Sequence, residues 1–543
     1  MRQRTIAASR CLLAIACCLH FEAGAAADAP ASPDAKATQH FSVHEYRVLG
    51  NTVLSNRQIE GVLYPRLGDA KSFEDVDAAR AALEAAYHSL GFATVFVDLP
   101  PQDVTDGIVR LRVTEGRLRV RTISGARYFS EGKILAELPA TAPGQVLKLP
   151  DVQAQINALN VQTADRSVVP ILKAGPDPGT MDLALKVEDH LPLHGTVDLN
   201  NQYTPDTKPL RANVSLSYNN LFEELDSIGL QYTTTPQATG EVGVANASYS
   251  FHPLDYGIRP SLSFTNSSSD VATLGTLGVL GKGQIYGARV SFPVASAVGD
   301  LQTLTLGLDY KHFRNTINVE TSGAQNATGQ TIEPISYVNA SLAYAGSWQR
   351  TGQSGSVLQF GSLDLAVNAG PRGTANETLA FDANRYQARG NYVYLHSDAS
   401  FITRLPFDTH FTLRASGQVA LEPLVVYEQM SLTGSDGVRG YLEAESLADN
   451  VLKGTAQFQS PQWIIHGFTF GDAFAFFDAG RGHLIEALSG EPGRIILRSW
   501  GAGIDLLPGH SVTGSLTWAE PLVDGPRTKA HDSRVLFDVK GSF

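Results

Sequence analysis

"LRANVSLSY" (210–218) sets Leu210, Ala212, Val214, Leu216 and Tyr218 on one side of an extended chain, with Arg211, Asn213, Ser215 and Ser217 on the other. A strand points successive side chains to opposite faces, so this stretch has one greasy face and one of mostly small polar groups. "SVTGSLTWA" (511–519) repeats the pattern, with Val512, Gly514, Leu516 and Trp518 opposing Ser511, Thr513, Ser515 and Thr517. Such runs, separated by turns rich in Gly, Pro, Asp and Asn, recur from 190 to the last residue. About sixteen can be parsed, starting near 193, 210, 226, 241, 257, 283, 300, 335, 354, 386, 408, 451, 468, 495, 510 and 532. An even number is what a single-chain bacterial barrel requires.

A soluble sandwich or propeller also alternates, and three features favour a membrane cylinder over it. Apolar residues alternate with small hydroxyls suited to a wet lumen, and aromatic residues gather near strand ends. The chain also closes on "RVLFDVKGSF" (534–543), with Val535, Phe537, Val539, Gly541 and Phe543 on one face. A terminal aromatic is the usual end of an outer-membrane barrel, which makes Phe543 the expected assembly signal.

The other end of the chain reads as an address. Arg2, Arg4 and Arg10 precede the apolar "CLLAIACCL" (11–19) and the small-residue "AGAAADA" (23–29), so 1–27 is expected to be a signal peptide and 28–40 a short linker. The apolar core falls short of the about 20 residues a spanning helix needs. Cys11, Cys17 and Cys18 all lie within the signal, which leaves the mature chain without disulfides or Cys-ligated metal. A lipoprotein would use Cys17 or Cys18, but Ala14 stands where a larger aliphatic is usual. A net charge of −12 without a Lys/Arg cluster argues against nucleic acid as a partner. A mean hydropathy of −0.08 also fits a barrel, whose strands are only half apolar.

Between them lies an internal repeat. "VLGNTVLS" (48–55) aligns with "ISGARYFS" (123–130), each following a strand-like run and each ending on a serine able to cap a helix. A second helix follows in each copy, Phe73 to Leu90 and about Asp151 to Leu159. Two strands close each copy: "TVFVDL" (94–99) and "IVRLRVT" (108–114), then "SVVPILKA" (167–174) and "TMDLALKVE" (180–188). The order strand-helix-helix-strand-strand, twice, predicts two tandem α/β modules over 41–115 and 116–189, before a barrel over 190–543.

One segment breaks the barrel's rhythm. About 422–450 has no strand or helix pattern, although hairpin loops normally take two to five residues. It carries "GSDGVRGY" (434–441), whose glycines permit tight turns and whose Arg439 offers a planar fork of donors suited to a carboxylate. A candidate partner lies in "FAFFDAG" (474–480), where Phe474, Phe476, Asp478 and Gly480 share a face. A carboxylate facing lipid is costly, so that face should be lumenal. Phenylalanines in a wet lumen then call for a cover, which a loop folded back into the barrel would supply. From spacing alone the loop equally well lies outside in solvent, with Asp478 an ordinary rim residue.

Tandem modules, a sixteen-strand barrel, Val-Arg-Gly-Tyr in a late long loop and Phe-x-Asp-x-Gly two strands on together resemble the outer-membrane transporters of two-partner secretion. These are the haemolysin and filamentous-haemagglutinin exporters, within the superfamily that includes barrel-assembly insertases. "DPGTMDLALKVEDHLPLHGTVDLNNQY" (177–203) looks like the same family. The resemblance implies two periplasmic POTRA domains followed by a 16-stranded antiparallel transmembrane β-barrel. Val438, Arg439, Gly440 and Tyr441 would form the lumenal loop tip, and Phe476, Asp478 and Gly480 the receiving strand. The implied partners are a large unfolded exoprotein with an N-terminal secretion domain, the barrel-assembly machinery during biogenesis, and outer-membrane lipid. Characterised members often carry an N-terminal plug helix; with only 28–40 before the first module, the loop is expected to be the sole lumenal obstruction.

No Gly-x-x-x-x-Gly-Lys-Ser/Thr, Gly-x-Ser-x-Gly or His-Glu-x-x-His occurs, and the histidines are scattered singly. No enzyme, cofactor or metal is therefore expected. A passive porin would lack tandem modules. An assembly insertase is the alternative, and it typically carries more modules.

Overall fold

A computed structural model describes residues 40–543 except 105, 270–271, 275–276, 298–299, 315, 318–329, 332–333, 353–356, 373–375, 466–467, 508 and 510. The expected signal peptide and nearly all of the linker lie outside the described residues.

The first α/β unit contains β1 (Glu45–Leu49), α1 (Asn56–Leu63), α2 (Phe73–Ser89), β2 (Val95–Asp98) and β3 (Ile108–Glu115). β3 lies centrally, parallel to β1 and antiparallel to β2. Helix α2 starts where Ser72 accepts from the Asp75 amide at 3.2 Å while the Asp75 carboxylate accepts from the Ser72 amide at 2.8 Å, a reciprocal cap. The Asp75 carboxyl is held below its ordinary range, chiefly by that backbone hydrogen bond. Val76, Ala79, Leu83 and Tyr87 form the buried stripe of α2 and meet Val95, Val97, Val109, Leu111 and Val113 of the sheet. Each fully buried aliphatic stabilises the unit by about 1.5–3 kcal/mol.

The second unit repeats the order: β4 (Arg117–Ser124), α3 (Glu131–Ala136), α4 (Leu149–Val161), β5 (Arg166–Ala174) and β6 (Thr180–Asp189), with β6 central. Helix α4 runs two residues further at each end than its periodicity suggests.

The repeated glycine has a definite cause. Gly50 and Gly125 both sit in the left-handed region, at φ +90° and +92°. A Cβ on either would run into a backbone carbonyl of the last strand of its unit, that of Val113 or Val187. Two residues after each glycine, backbone amides turn toward a carboxylate ending that same strand. Glu115 accepts from Thr52 at 2.5 Å and Val53 at 3.1 Å, and Asp189 accepts from Arg127 and Tyr128, both at 2.8 Å. The repeat therefore extends to a tied turn that the aligned segments alone do not reveal.

From Leu193 the chain forms a closed antiparallel barrel of sixteen spanning strands. In chain order these are β7 (Leu193–Asn200), β8 (Arg211–Leu221), β9 (Asp226–Thr234), β10 (Gly243–Ser250), β11 (Arg259–Ser267), β12 (Gly283–Ala297), β13 (Asp300–Phe313) and β14 (Ile335–Thr351). They continue with β15 (Val357–Ala369), β16 (Val393–Arg404), β17 (His410–Ala420), β18 (Asn450–Gln459), β19 (Phe468–His483), β20 (Arg494–Leu506), β21 (Val512–Pro521) and β22 (Arg534–Ser542). A short segment, Trp463–Ile465, pairs additionally with β19. Closure comes from β22 pairing with β7.

Val214, Leu216, Leu230, Leu308, Leu342, Trp500, Leu516, Val535 and Val539 are exposed on the outer face, while Asn213, Ser215, Asp309 and Thr517 alternate with them toward the lumen. Among the described residues no helix is long and apolar enough to cross a membrane; the strands do so.

One strand start needs correction. The run expected near 386 begins at Val393, and Thr378–Asn384 forms a short helix, α5. "TLAFDAN" alternates poorly and buries only Phe381, so its neighbours rather than its own pattern decide its form.

Candidate functional site

Strand β19 presents Phe474, Phe476 and Asp478 inward, all buried, and Phe477 outward, 46% exposed. Room for the two inward rings comes from β20. A Cβ at Gly501 would stand 2.5 Å from the Phe476 ring, and one at Gly503 would stand 2.5 Å from that of Phe474.

The long loop, residues 421–449, enters the barrel and lays its tip on this strand. Asp478 Oδ2 accepts from Arg439 Nε at 2.8 Å and from the Arg439 backbone amide at 3.1 Å, while Oδ1 accepts from Nη2 at 2.9 Å. Arg439 Nη1 donates to Gln457 Oε1 at 3.2 Å. The guanidinium carbon lies 3.4 Å above the Phe476 ring, which gives the cation a second attraction. The Asp478 side chain is 0% exposed and that of Arg439 14%. A carboxylate so enclosed is tolerable because three donors from one residue surround it; removing them would leave a bare buried charge. Phenylalanine at 476 therefore forms the floor on which the arginine lies.

The neighbouring motif residues each meet a matching surface. Val438 is buried against β19, and a Cβ on Gly480 would stand 2.9 Å from its Cγ2. Gly440 turns at φ +95° and passes close to Pro521 and Ala519. Tyr441, buried, donates from its hydroxyl to Val523 O at 2.6 Å. Phe543 lies away from this cluster, 72% exposed, and its amide donates to Gly195 O at 3.1 Å.

Several residues that sequence reading passed over also hold the loop. Glu428 is buried and accepts from Lys311 Nζ and the Tyr337 hydroxyl, each at 2.5 Å, and from the Tyr394 hydroxyl at 2.8 Å. Asp449, 0% exposed, accepts from the amides of Leu424 at 3.0 Å and Ile485 at 2.8 Å. It also takes Gln429 Nε2 at 3.1 Å and Arg385 Nη2 at 2.9 Å. The two carboxylates fix both ends of the loop. The only available signal was the presence of carboxylates in a segment without periodicity.

Helix α5 also packs on lumen-facing side chains, while the segment in which an N-terminal plug would lie is outside the described residues. Phe381 of α5 packs edge-on against the lumen-facing Tyr337 at 5.2 Å, beside Tyr427 of the loop itself, which stacks on Phe313 at 4.0 Å. They belong to one buried apolar cluster with Val244, Ile285, Tyr392 and Tyr394. Among the described residues no group of His, Cys, Asp and Glu could hold a metal ion. The chemistry available here is that of a hydrogen-bonded latch.

Comparisons with known proteins agree with this architecture. The model of the haemolysin secretion/activation protein family ShlB/FhaC/HecB matches residues 179–506, and that of the ShlB-type POTRA domain matches 41–116. The outer membrane transporter CdiB of Dickeya dadantii (strain 3937) is 25% identical over 414 residues, covering 74% of this chain and 69% of that protein. CdiB of Escherichia coli O6:K15:H31 is 24% identical over 511 residues, covering 89% and 79%. Among solved structures, CdiB from Escherichia coli superposes with a TM-score of 0.56 at 20% identity, covering 95% of this chain and 93% of that one. BamA from Haemophilus ducreyi lacking POTRA domains 1–3 gives 0.56 at 14% identity, covering 93% and 100%.

Proposed function

Because this chain belongs to the haemolysin secretion/activation family of ShlB, FhaC and HecB, we propose that it exports one unfolded partner exoprotein through its barrel to the cell surface. The chain is a two-partner secretion transporter of the outer membrane, with POTRA structure on the periplasmic side. We read the second α/β unit as a POTRA domain too, on its repeated strand order and its repeated glycine-and-carboxylate turn.

In this reading the exoprotein's secretion domain docks on the modules by adding a strand to a sheet edge. Main-chain hydrogen bonds then give affinity without requiring a folded passenger. No nucleotide is consumed, and folding outside gives direction. The chain is a conduit without catalytic chemistry. The barrel-assembly machinery inserts it by reading the terminal strand with Phe543, and lipid surrounds the exposed outer face.

The observation that carries the proposal is the loop tip held by the Arg439–Asp478 pair. The loop tip occupies the lumen face of β19, so in this reading transport uses a second loop position. A buried, geometrically specific pair suits a two-position element. The family match is to secretion and activation rather than to barrel assembly, which makes an insertase the weaker reading.

The test is co-expression with the open reading frame that neighbours this gene. Delivery of that product to the surface should require this chain. Arg439→Ala should abolish or strongly reduce delivery while the barrel still inserts. Undiminished delivery by Arg439→Ala would retire the latch; insertion of other barrels in place of delivery would favour the insertase.

A further inference from the structure

The two edge strands of the first α/β unit, β1 and β2, are unlike. Gly116 donates its amide to Thr94 O at 3.0 Å, so in this antiparallel ladder the peptide groups of Val95 and Val97 turn away from β3. All four of those outward groups are taken. The Val95 amide donates to Phe92 O at 3.2 Å, and His88 Nε2 donates to Val95 O at 3.0 Å. Glu84 Oε2 accepts from the Val97 amide at 3.0 Å, and Arg80 Nη1 donates to Val97 O at 3.2 Å. Arg80, Glu84 and His88 stand four residues apart on one face of α2, so the helix lays its side chains along the edge where an added strand would bond. Arg80 is held in place by Asp77 at 2.6 Å and by Glu84 at 3.3 Å.

The second unit repeats the device on its edge strand β5. Asn160, near the end of α4, accepts from the Val168 amide at 2.8 Å and donates to Val168 O at 3.0 Å. Pro170, two residues on, has no amide to offer. Strand β1 is different. Glu45 donates to Gly107 O at 3.2 Å, which in a parallel ladder turns the peptide groups of Glu45, Arg47 and Leu49 toward β3 and those of Tyr46 and Val48 outward. Among the described residues no hydrogen bond reaches those outward groups. An unpaired edge is a template for another strand. Beside it Leu49 is 46% exposed, and Arg47 lies directly opposite Arg110, two like charges side by side.

We infer that the exoprotein adds its strand to the first unit at the β1 edge, along Tyr46 and Val48, and that α2 bars the β2 edge. This rests on the docking by strand addition set out above. The segment that fits is extended, with a carboxylate where it passes Arg47 and an apolar residue two positions away, beside Leu49. The carboxylate relieves the repulsion between Arg47 and Arg110, and the apolar residue covers Leu49.

The described residues contain no cysteine, so a benzophenone maleimide attached at Leu49→Cys reports on the β1 edge and one at Phe96→Cys on the β2 edge. Both side chains are exposed, Phe96 at 56%, so neither change disturbs the core. In cells producing the full chain with the product of the neighbouring open reading frame, illumination should join that product to the chain at Leu49→Cys and not at Phe96→Cys. Capture at Phe96→Cys in this background, or at neither site while delivery still requires the chain, would overturn the inference and leave the export reading standing. Delivery that does not require the chain would remove the export reading, and the inference with it. Arg47→Glu should weaken capture at Leu49→Cys about fivefold, the upper range for one cross-strand pair of like charge; undiminished capture would refute the acidic segment. Arg80→Ala combined with Glu84→Ala frees both outward groups of Val97 and should make Phe96→Cys a second site of capture. Continued silence there would show that α2 is not what bars the edge.

Discussion

Arg439 and Asp478 form the most consequential pair in the molecule, and a double-mutant cycle measures what it contributes. Arg439→Ala removes the Nε and Nη2 donors and the cation over Phe476, leaving Asp478 with a single donor, the residue-439 amide. Asp478 has no access to solvent, so the orphaned charge costs about 3–5 kcal/mol unless the loop swings away. Asp478→Ala leaves a guanidinium that is 14% exposed and still bonded to Gln457, which places it toward the lower end of that range. The double variant buries neither charge and should cost little more than either single one, a coupling of about 3 kcal/mol. Hydrogen exchange of the peptide spanning 430–446 reports loop opening directly. Each single variant should exchange roughly a hundredfold faster than the parent, and the double variant within about tenfold of the faster single. Arg439→Lys should resemble Arg439→Ala more than the parent, because an ammonium cannot bond both carboxylate oxygens in this fork. Strictly additive effects, near ten-thousandfold in the double variant, would show that the two residues do not act as a pair.

Gly480→Val would drive a side chain into Val438 and should lift the tip at a cost of about 1–3 kcal/mol, seen as faster thermolysin cleavage within 432–446. Asp449→Ala removes the acceptor shared by Leu424, Gln429, Arg385 and Ile485, so cleavage should rise together in 421–449 and 484–493; a change confined to one loop would contradict a shared anchor. Gly125→Ala forces a Cβ into a left-handed turn against Val187, and should lower the thermal midpoint of the second α/β unit more than Gly144→Ala, where no atom lies within 4 Å. Ser72→Ala should destabilise α2 by about 1 kcal/mol. Because the Asp75 carboxyl titrates below its ordinary range in the folded unit, its stabilising effect is present at neutral pH and lost as acid approaches the depressed value. Helix content measured against pH should show that loss in the parent and a smaller one in Ser72→Ala.

What depends on neighbours along the chain is legible in the amino-acid order alone. Alternation placed Val214 and Leu216 outward and Ser215 inward, and hydroxyl-for-aliphatic exchange distinguished a wet lumen from a packed core. Fifteen of the sixteen strand starts fall within about three residues of the periodic reading. The exception, near 386, adjoins α5, where a seven-residue segment is helical because Phe381 meets Tyr337 and Tyr392. The glycine repeat was visible as a pattern, but its reason lay across the sheet, in carbonyls more than 60 residues away, Val113 for Gly50 and Val187 for Gly125.

The same division runs through the site. Residue type and spacing singled out Arg439 and Asp478 as chemically suited, yet left the loop equally free to lie in solvent. Its entry into the lumen follows from the assembled cylinder, because that choice rests on surfaces contributed by many strands. The Phe476 floor, the space over Gly501, the groove beside Gly480 and the Glu428 and Asp449 anchors come together only when the cylinder closes. Glu445 of the loop, whose carboxylate accepts from the amides of Arg527 at 2.7 Å and Thr528 at 2.6 Å, could not be read at all. Its partners, Arg527 and Thr528, lie more than 80 residues on, and a carboxylate carries no mark in sequence of which distant amides it will receive.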